Sequence, residues 1–486
     1  MKKEMYRNAI VPHLWAFAVI AMILSFAISS RSLAQEEISG HNDTLALTMD
    51  ECIAIALENH FPLEIAKKQL KLAEFRLLEA MRKLGPTVTA KWETSGGQVA
   101  GAYYEGEKIT FEGKQPLFYG GELVFSVRQA KVNLKIVKND YDRIKNELIL
   151  QVKKAYYSLD KAKKALLIQE GLYRGTKKLY EMARAGYEVD VFSEVEFLKV
   201  TSQKYQADFQ STSAREDLSI ANLLLQQAMN IDEEIEIREV PEPEIVDLAL
   251  DTCFSLARLN RPEIKISRLS LEYFDYEKKI MGARASWPRV DFLGMYGNSK
   301  EDFLSRDMVT GRDPRQRGPE FYYGFKASLP VWGSTLGYSF MEESWQPVVQ
   351  TTKGTKSRTS SISFAFLDKL EDISSAKEAD LEYARSKDEM DKKKQEIILE
   401  VKETFFKYKK SIILMSVSKS KVNFQSKQVA VLEVRRQLGE VLYSDVIEEM
   451  VKLAEERFSY VQAIADYYIA IASLNKAIGI DGYFEN

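Results

Sequence analysis

Apolar residues recur at three- and four-residue steps along two long stretches of the chain, roughly 123–185 and 368–438. Leu148, Val152, Ala155, Tyr156 and Leu159 are one such run, the seam of a coiled-coil-like helix with solvated flanks. Both stretches hold almost no Gly or Pro. At about 1.5 Å per residue each predicts a helix roughly 90–105 Å long. Four shorter stretches alternate with period two instead. Val88, Ala90 and Trp92 alternate with Thr89, Lys91 and Glu93; Ile109 and Phe111 with Lys108, Thr110 and Glu112. Val290 and Phe292 alternate with Arg289 and Asp291; Phe321, Tyr323, Phe325, Ala327 and Leu329 with Tyr322, Gly324, Lys326 and Ser328. One apolar and one polar face per strand suits a barrel with lipid outside and water inside. A half-buried sheet in a soluble protein alternates in the same way.

The order of these elements occurs twice. Leu47-Thr48-Met49-Asp50-Glu51-Cys52 leads through a helix to Asn59 and Pro62; Leu250-Asp251-Thr252-Cys253 leads to Asn260 and Pro262. The two prolines lie 200 positions apart (62 and 262). Thr48 and Glu51 read as a capping box. The cysteines occupy equivalent positions, where a small side chain lets helices pack closely. Helices from Pro62 and Pro262 stop at Gly85-Pro86 and Trp287-Pro288, and a strand pair follows each. The pairs end alike, at Gln115-Pro116-Leu117-Phe118-Tyr119-Gly120-Gly121 and Leu329-Pro330-Val331-Trp332-Gly333. The first repeat then enters its long helix directly; the second first inserts a polar segment near 338–361 whose fold the pattern leaves open. The long helices end at Gly186 and Gly439, residues suited to the positive φ of a helix C-terminus. Ser193-Glu194 and Ser444-Asp445 come next, each Ser placed to cap the returning helix. The boundaries are therefore 35–240 for the first repeat, 241–246 for a Pro/Glu linker and 247–486 for the second repeat.

Composition narrows the class. The chain has 486 residues, 45% of them hydrophobic, with a formal charge of −3, so nucleic acid is not an expected partner. Lys2, Lys3 and Arg7 precede an apolar run, Leu14 to Ile28, and Ser32-Leu33-Ala34 offers a cleavage site. Residues 1–34 thus read as a secretory signal peptide, the alternative being an uncleaved anchor. The remainder has no apolar run of about 18 residues, so membrane entry after export requires a barrel. Two cysteines make no disulfide framework, and His41 and His60 lack neighbours at metal-ligand spacing, so no metal or cofactor is expected. Phosphate loops, nucleophile elbows and paired catalytic carboxylates are not found, which argues against an enzyme.

The duplicated opening, the Gln-Pro-Leu-Phe-x-Gly-Gly segment and the long helices ending in Gly before an Asp-Val resemble the TolC-like outer-membrane efflux family across nearly the whole mature chain. The resemblance implies a mainly α chain with a small β part. Long antiparallel helices would form a periplasmic tunnel, and four strands per chain would join those of two other copies in a trimeric 12-stranded outer-membrane barrel. Four strands alone cannot close a barrel. It implies a homotrimer in the outer membrane of a Gram-negative cell, in contact with lipid, serving tripartite efflux or type I secretion with a periplasmic adaptor and an inner-membrane transporter. Asp445 and Glu448, three apart on one helix face, match the family's acidic ring at the periplasmic entrance, though the family carries Asp at the second position. Read from the residues alone, the two acids merely complement a helix N-terminus. Gly186 and Gly439 match the turns that meet the adaptor. The competing function is a periplasmic coiled-coil adaptor or structural protein without a pore, which would account for the helices but not for the strands.

Overall fold

The computed structural model describes residues 46–480 except 100–101, 239, 241–242, 244, 304–316 and 346–354. The signal peptide reading therefore lies outside the described residues. In the first repeat, a short strand β1 (Ala46–Leu47) precedes α1 (Met49–Asn59) and α2 (Phe61–Arg82). Strands β2 (Thr87–Val99) and β3 (Ala102–Phe118), then α3 (Glu122–Glu188) and α4 (Glu194–Met229), complete it. After β4 (Glu236–Ile237), which pairs parallel with β1, the plan recurs. Helices α5 (Leu250–Asn260) and α6 (Pro262–Ser286), strands β5 (Arg289–Phe303) and β6 (Arg317–Val331), and helices α7 (Leu370–Gln437) and α8 (Tyr443–Ile478) make the second series. The long helices α3 and α7 have 67 and 68 residues, about 100 Å each.

The expected strand count is corrected. Beyond β6 the sheet continues through β7 (Ser334–Trp345) and β8 (Thr355–Ala365), in the order β2-β3-β5-β6-β7-β8, every neighbour antiparallel. Among the described residues, six strands, not four, form this sheet. The segment near 338–361 is thus part of a hairpin. The turn that joins β6 to β7, Trp332-Gly333, has φ of 52° and 75° at its two central residues, the left-handed pair that two-residue hairpins favour. The foot of β7 is tied to the residues just before α7: Lys369 N–H donates to Gly333 O at 2.8 Å, Leu367 N–H to Ser334 Oγ at 3.0 Å and Thr335 Oγ1 to Asp368 at 2.9 Å.

The ladder puts Ala90, Phe111, Tyr296 and Phe321 on one face and Lys91, Thr110 and Gly297 on the other. The polar face is laced by Lys91–Glu112 (2.9 Å), Lys108–Glu320 (2.8 Å) and Lys114–Asp291 (3.1 Å). Where sheet meets helices, buried Glu122 receives Arg284 at 2.7 Å and Arg289 at 3.0 Å.

Two hydrophobic cores form where the short helices meet the long ones. Cys52 and Ala56 of α1 pack with Val152, Tyr156 and Leu225; Cys253 and Ala257 of α5 pack with Val401, Tyr408 and Leu474. Both cysteines are free and buried, and burial pushes the Cys52 thiol up to about 11, the behaviour of small packing residues. Thr48 and Glu51 form the expected capping box.

Away from the sheet the helices lie side by side in the order α4-α3-α8-α7, and next to it in the order α2-α3-α6-α7. One rim of the layer thus belongs to the first repeat (β2, α2, α4), the other to the second (β8, α7).

Candidate functional site

The ends of the two long hairpins carry the four candidate site residues, Gly186, Gly439, Asp445 and Glu448. They differ from each other and in part from expectation. Gly439 has φ +79° with open space around its missing Cβ, and Glu440 N–H closes the turn on Arg435 O at 3.0 Å. That is the glycine terminus expected. Gly186 departs from expectation. It lies inside the last turn of α3, and the left-handed residue is Asp190, φ 61°. Glycine is needed at 186 for space: a Cβ there would stand 2.3 Å from the Phe192 ring. Phe192 in turn meets Tyr443 edge-on at 5.2 Å, and Tyr187 stacks on Phe197 at 4.8 Å.

Ser193 caps α4 as expected, accepting from Glu196 N–H at 3.3 Å. Ser444 does not cap α8. It lies inside that helix, whose first residue is Tyr443, and both its N–H and its hydroxyl donate to the buried Glu196 carboxylate at 2.9 Å. Gln203 Nε2 donates to Ser444 O at 3.1 Å. Glu196, at the start of α4, therefore caps α8 from across the pair of tips, the role the serine was expected to fill. A carboxylate at a helix N-terminus also meets the positive end of its dipole. Behind this tie sits a small core of Leu179, Ala183, Val200, Val446 and Ile447.

Asp445 and Glu448 lie one turn apart at the surface of α8, next to the tie. Lys199 Nζ is 3.7 Å from Asp445, and Lys452 Nζ is 3.4 Å from Glu448 and 3.2 Å from Glu449. Each candidate acid thus has a lysine of its own chain within reach. Both pairs are about half exposed, which makes them weak and salt-sensitive. The Lys199–Asp445 contact joins α4 to α8 and so bridges the two repeats. Lys199 and Glu196 were not legible as site residues, because their partners are set by the packing of helices some 250 positions apart, whereas Lys452 lies one turn from Glu448 on the same helix.

Among the described residues no cluster of His, Cys, Asp and Glu could hold a metal, and no helix is long and apolar enough to cross a membrane. What the geometry offers is an acidic surface next to exposed apolar tips, where Val189, Val191 and Leu438 are each about 70% exposed.

Residues 52–230 match the family described as outer membrane efflux protein. Among curated proteins none matches the chain by sequence. The fold is shared with the CmeC outer membrane channel of Campylobacter jejuni (TM-score 0.71, 14% identity, 92% of this chain and 90% of that one). It is shared also with the outer membrane protein VceC of Vibrio cholerae (0.69, 12%, 89% and 96%). The Neisseria gonorrhoeae MtrE outer membrane channel, solved in its open state, aligns at 0.66 and 15% over 93% and 96%.

Proposed function

We propose that this chain, whose first repeat matches the outer membrane efflux protein family and whose fold is that of the solved channels, is one subunit of a trimeric outer-membrane duct. It is a conduit and not a catalyst. It passes solutes received from an inner-membrane transporter and a periplasmic adaptor, in tripartite efflux or type I secretion.

One observation carries the reading: the apolar surface left uncovered is concentrated on the rims of the layer. On α2, Phe61, Ile65, Leu72, Phe75 and Leu78 are exposed; on α4, Val195, Leu198, Tyr205 and Phe209. On the opposite rim, α7 exposes Leu399, Phe406 and Ile413, then Val417, Phe424 and Val431, each series spaced by sevens. Central α6 and α8 expose no large hydrophobic side chain. Two unlike apolar rims call for a heterologous contact between copies, which closes into a ring, and heptad spacing is what a helix–helix seam uses. Above the rims the sheet turns its apolar face outward. Trp287, Trp332 and Phe366 stand exposed near its foot, the girdle of a lipid-facing barrel.

In such a trimer Asp445 and Glu448 contribute six carboxylates at the periplasmic entrance, a ring that attracts cations. Lys199 and Lys452 temper its charge in this state. The exposed turns at Gly186 and Gly439 meet the adaptor. Light scattering on detergent-extracted outer-membrane protein tests the assembly: a trimer supports the duct, and a soluble periplasmic monomer turns the reading to a coiled-coil adaptor. Asp445→Asn with Glu448→Gln should raise leak or shift cation preference in planar bilayers. Unchanged selectivity removes the gate assignment. A bulky residue at Gly439 should block export in an intact trimer; survival of export removes docking at that turn.

A further inference from the structure

The family resemblance implies a barrel of twelve strands, four from each chain. Resting on the duct reading, we propose that three copies of this chain close an eighteen-stranded barrel, its seams formed by β8 of one copy against β2 of the next.

The added hairpin is built as barrel wall. Along the ladder outward from β6, Leu336, Tyr338 and Phe340 of β7 continue the apolar face, and Ile362 and Phe364 of β8 continue it again. Gly337 and Ser339, with Ser361 and Ser363, continue the polar face. Ile362 is 78% and Phe364 61% exposed. A surface hairpin in water has no reason to keep such residues on the side where Phe292, Phe325 and Tyr323 already face out. Hairpin and sheet also share the aromatic girdle, through Trp332 and Phe366 beside Trp287.

The edges fit each other. β2 and β8 are 13 and 11 residues long, contain no proline and have no partner on their outer side among the described residues. Long plain edges of this kind are what soluble proteins avoid. β2 leaves the helices and β8 returns to them, so the contact between β8 and the next β2 is antiparallel, like every other pair in the sheet. Each edge presents apolar residues outward near its foot: Val88, Ala90 and Trp92 on one, Phe364 and Ile362 on the other. The seam falls where the helical rims meet, α2 and α4 beside α7.

The stagger is already that of a barrel. Thr87, the foot of β2, lies on one ladder row with Lys114, Leu293, Gly324, Met341 and Thr359. The foot of β8 is Ala365, six positions below Thr359 (365 − 359). Six residues are about 20 Å of strand, and five strand spacings are about 24 Å, so the strands lean by roughly 40°, within the tilt of membrane barrels. At that tilt eighteen strands enclose a ring roughly 36 Å across and twelve roughly 24 Å. Twelve helices side by side, four per chain at the junction, need about 96–120 Å of circumference. Eighteen strands give roughly 113 Å. The wall above the tunnel is as wide as the tunnel, and the outer mouth passes bulkier cargo than a twelve-stranded one.

Electron cryo-microscopy of the detergent-extracted trimer counts the strands directly in cross-section. Eighteen are expected. Twelve strands, with the 334–365 hairpin folded outside the wall, overturn the inference and leave the duct standing; a monomer overturns the duct itself. In parallel, Trp92→Cys is combined in turn with Arg358→Cys, Ser360→Cys, Ile362→Cys and Phe364→Cys, and separately with Tyr323→Cys on β6. Oxidation should give a covalent trimer with at least one β8 variant and none with the β6 variant. Cross-linking to β6, or to no rung of β8 in an intact trimer, rejects the seam.

Discussion

Tyr119-Gly120-Gly121 and Val331-Trp332-Gly333 leave the foot of the same sheet through the same device. Gly120 and Gly121 have φ of 62° and 86°; Trp332 and Gly333 have 52° and 75°. From the first pair the chain enters a helix of 67 residues; from the second it turns back as another strand. The two turns are alike, so the residues just behind each turn decide its outcome. Glu122-Leu123-Val124-Phe125 gives a helix start whose acid is held by Arg284 and Arg289. Ser334-Thr335-Leu336-Gly337-Tyr338-Ser339-Phe340 sets large apolar side chains at every second position among small ones, the spacing of a strand. Duplicated chains keep their punctuation and diverge in the run behind it, and the repeats of this chain differ in that way at the sheet, at the elbows before α2 and α6, and at the tips.

The elbows should show the largest difference. The second is a buried ion cluster. Arg261, 3% exposed, reaches Glu263 at 3.0 Å, pairs with Glu400 and donates to Ala477 O at 3.3 Å, while Lys476 reaches Glu400 at 3.2 Å. The first has His60 in the same place, with ring Nδ1 buried and unpaired. Removing one partner of a buried pair strands the others, a cost of about 3–5 kcal/mol. Glu400 is partly exposed, so about 3 kcal/mol is expected for Arg261→Ala once water screens the remainder. His60→Ala should cost well under half of that. Thermal unfolding of the intact protein measures both, and equal losses would mean that the ion cluster adds nothing to its elbow.

The sheet comes next. Ile362→Arg places a charge on the apolar face of the hairpin and should cost about 2 kcal/mol at intermediate depth in lipid, whereas Ser361→Arg on the polar face should cost roughly nothing. Refolding into vesicles at graded urea reads the difference; similar values for both would take the hairpin out of the membrane. The four expected strands were legible because each carries bulky residues in strict alternation. β7 and β8 were not, although Leu336, Tyr338 and Phe340 alternate as well. Their other face is largely Ser, Thr and Gly, the composition of a loop, so the pattern left the fold of 338–361 open.

At the tips the sequence carried less. Helix ends, the Ser193 cap and the positive φ of Gly439 were legible because each is a local rule. The Glu196–Ser444 tie spans 248 positions and leaves no local trace; Glu196 reads as one more acid in a first turn. Glu196→Ala leaves the buried Ser444 N–H and hydroxyl without an acceptor, a loss of about 1–2 kcal/mol confined to the tip. Ser444→Ala removes only the hydroxyl bond and should cost about half as much. Faster hydrogen exchange at 443–447 in Glu196→Ala, with the sheet unchanged, is the expected result. Unaltered exchange there would show that the aromatic contacts of Phe192 and Phe197 hold the tips without the carboxylate.

The smallest effect separates the elbows by pH. Burial lowers the pKa of His60. The unfolded elbow therefore binds a proton before the folded one does. Stability is fully present above the ordinary histidine value of about 6.5 and falls as pH drops from there toward the lowered folded value. At the other elbow burial alone would raise the Glu400 carboxyl, but Arg261 and Lys476 outweigh it and hold it below the ordinary glutamate value. That contribution is present above the ordinary value and is lost only as pH falls through the lowered one. Between pH 7.5 and 5.5, then, the Asn59–Pro62 elbow should loosen while the Asn260–Pro262 elbow stays firm. Limited proteolysis of the intact protein resolves the two sites by fragment mass. Cleavage near Asn59 should rise toward pH 5.5 in the native chain and stay level in His60→Gln. A rise of equal size in His60→Gln would assign the loosening to some other group and leave the histidine as a neutral packing residue across the whole range.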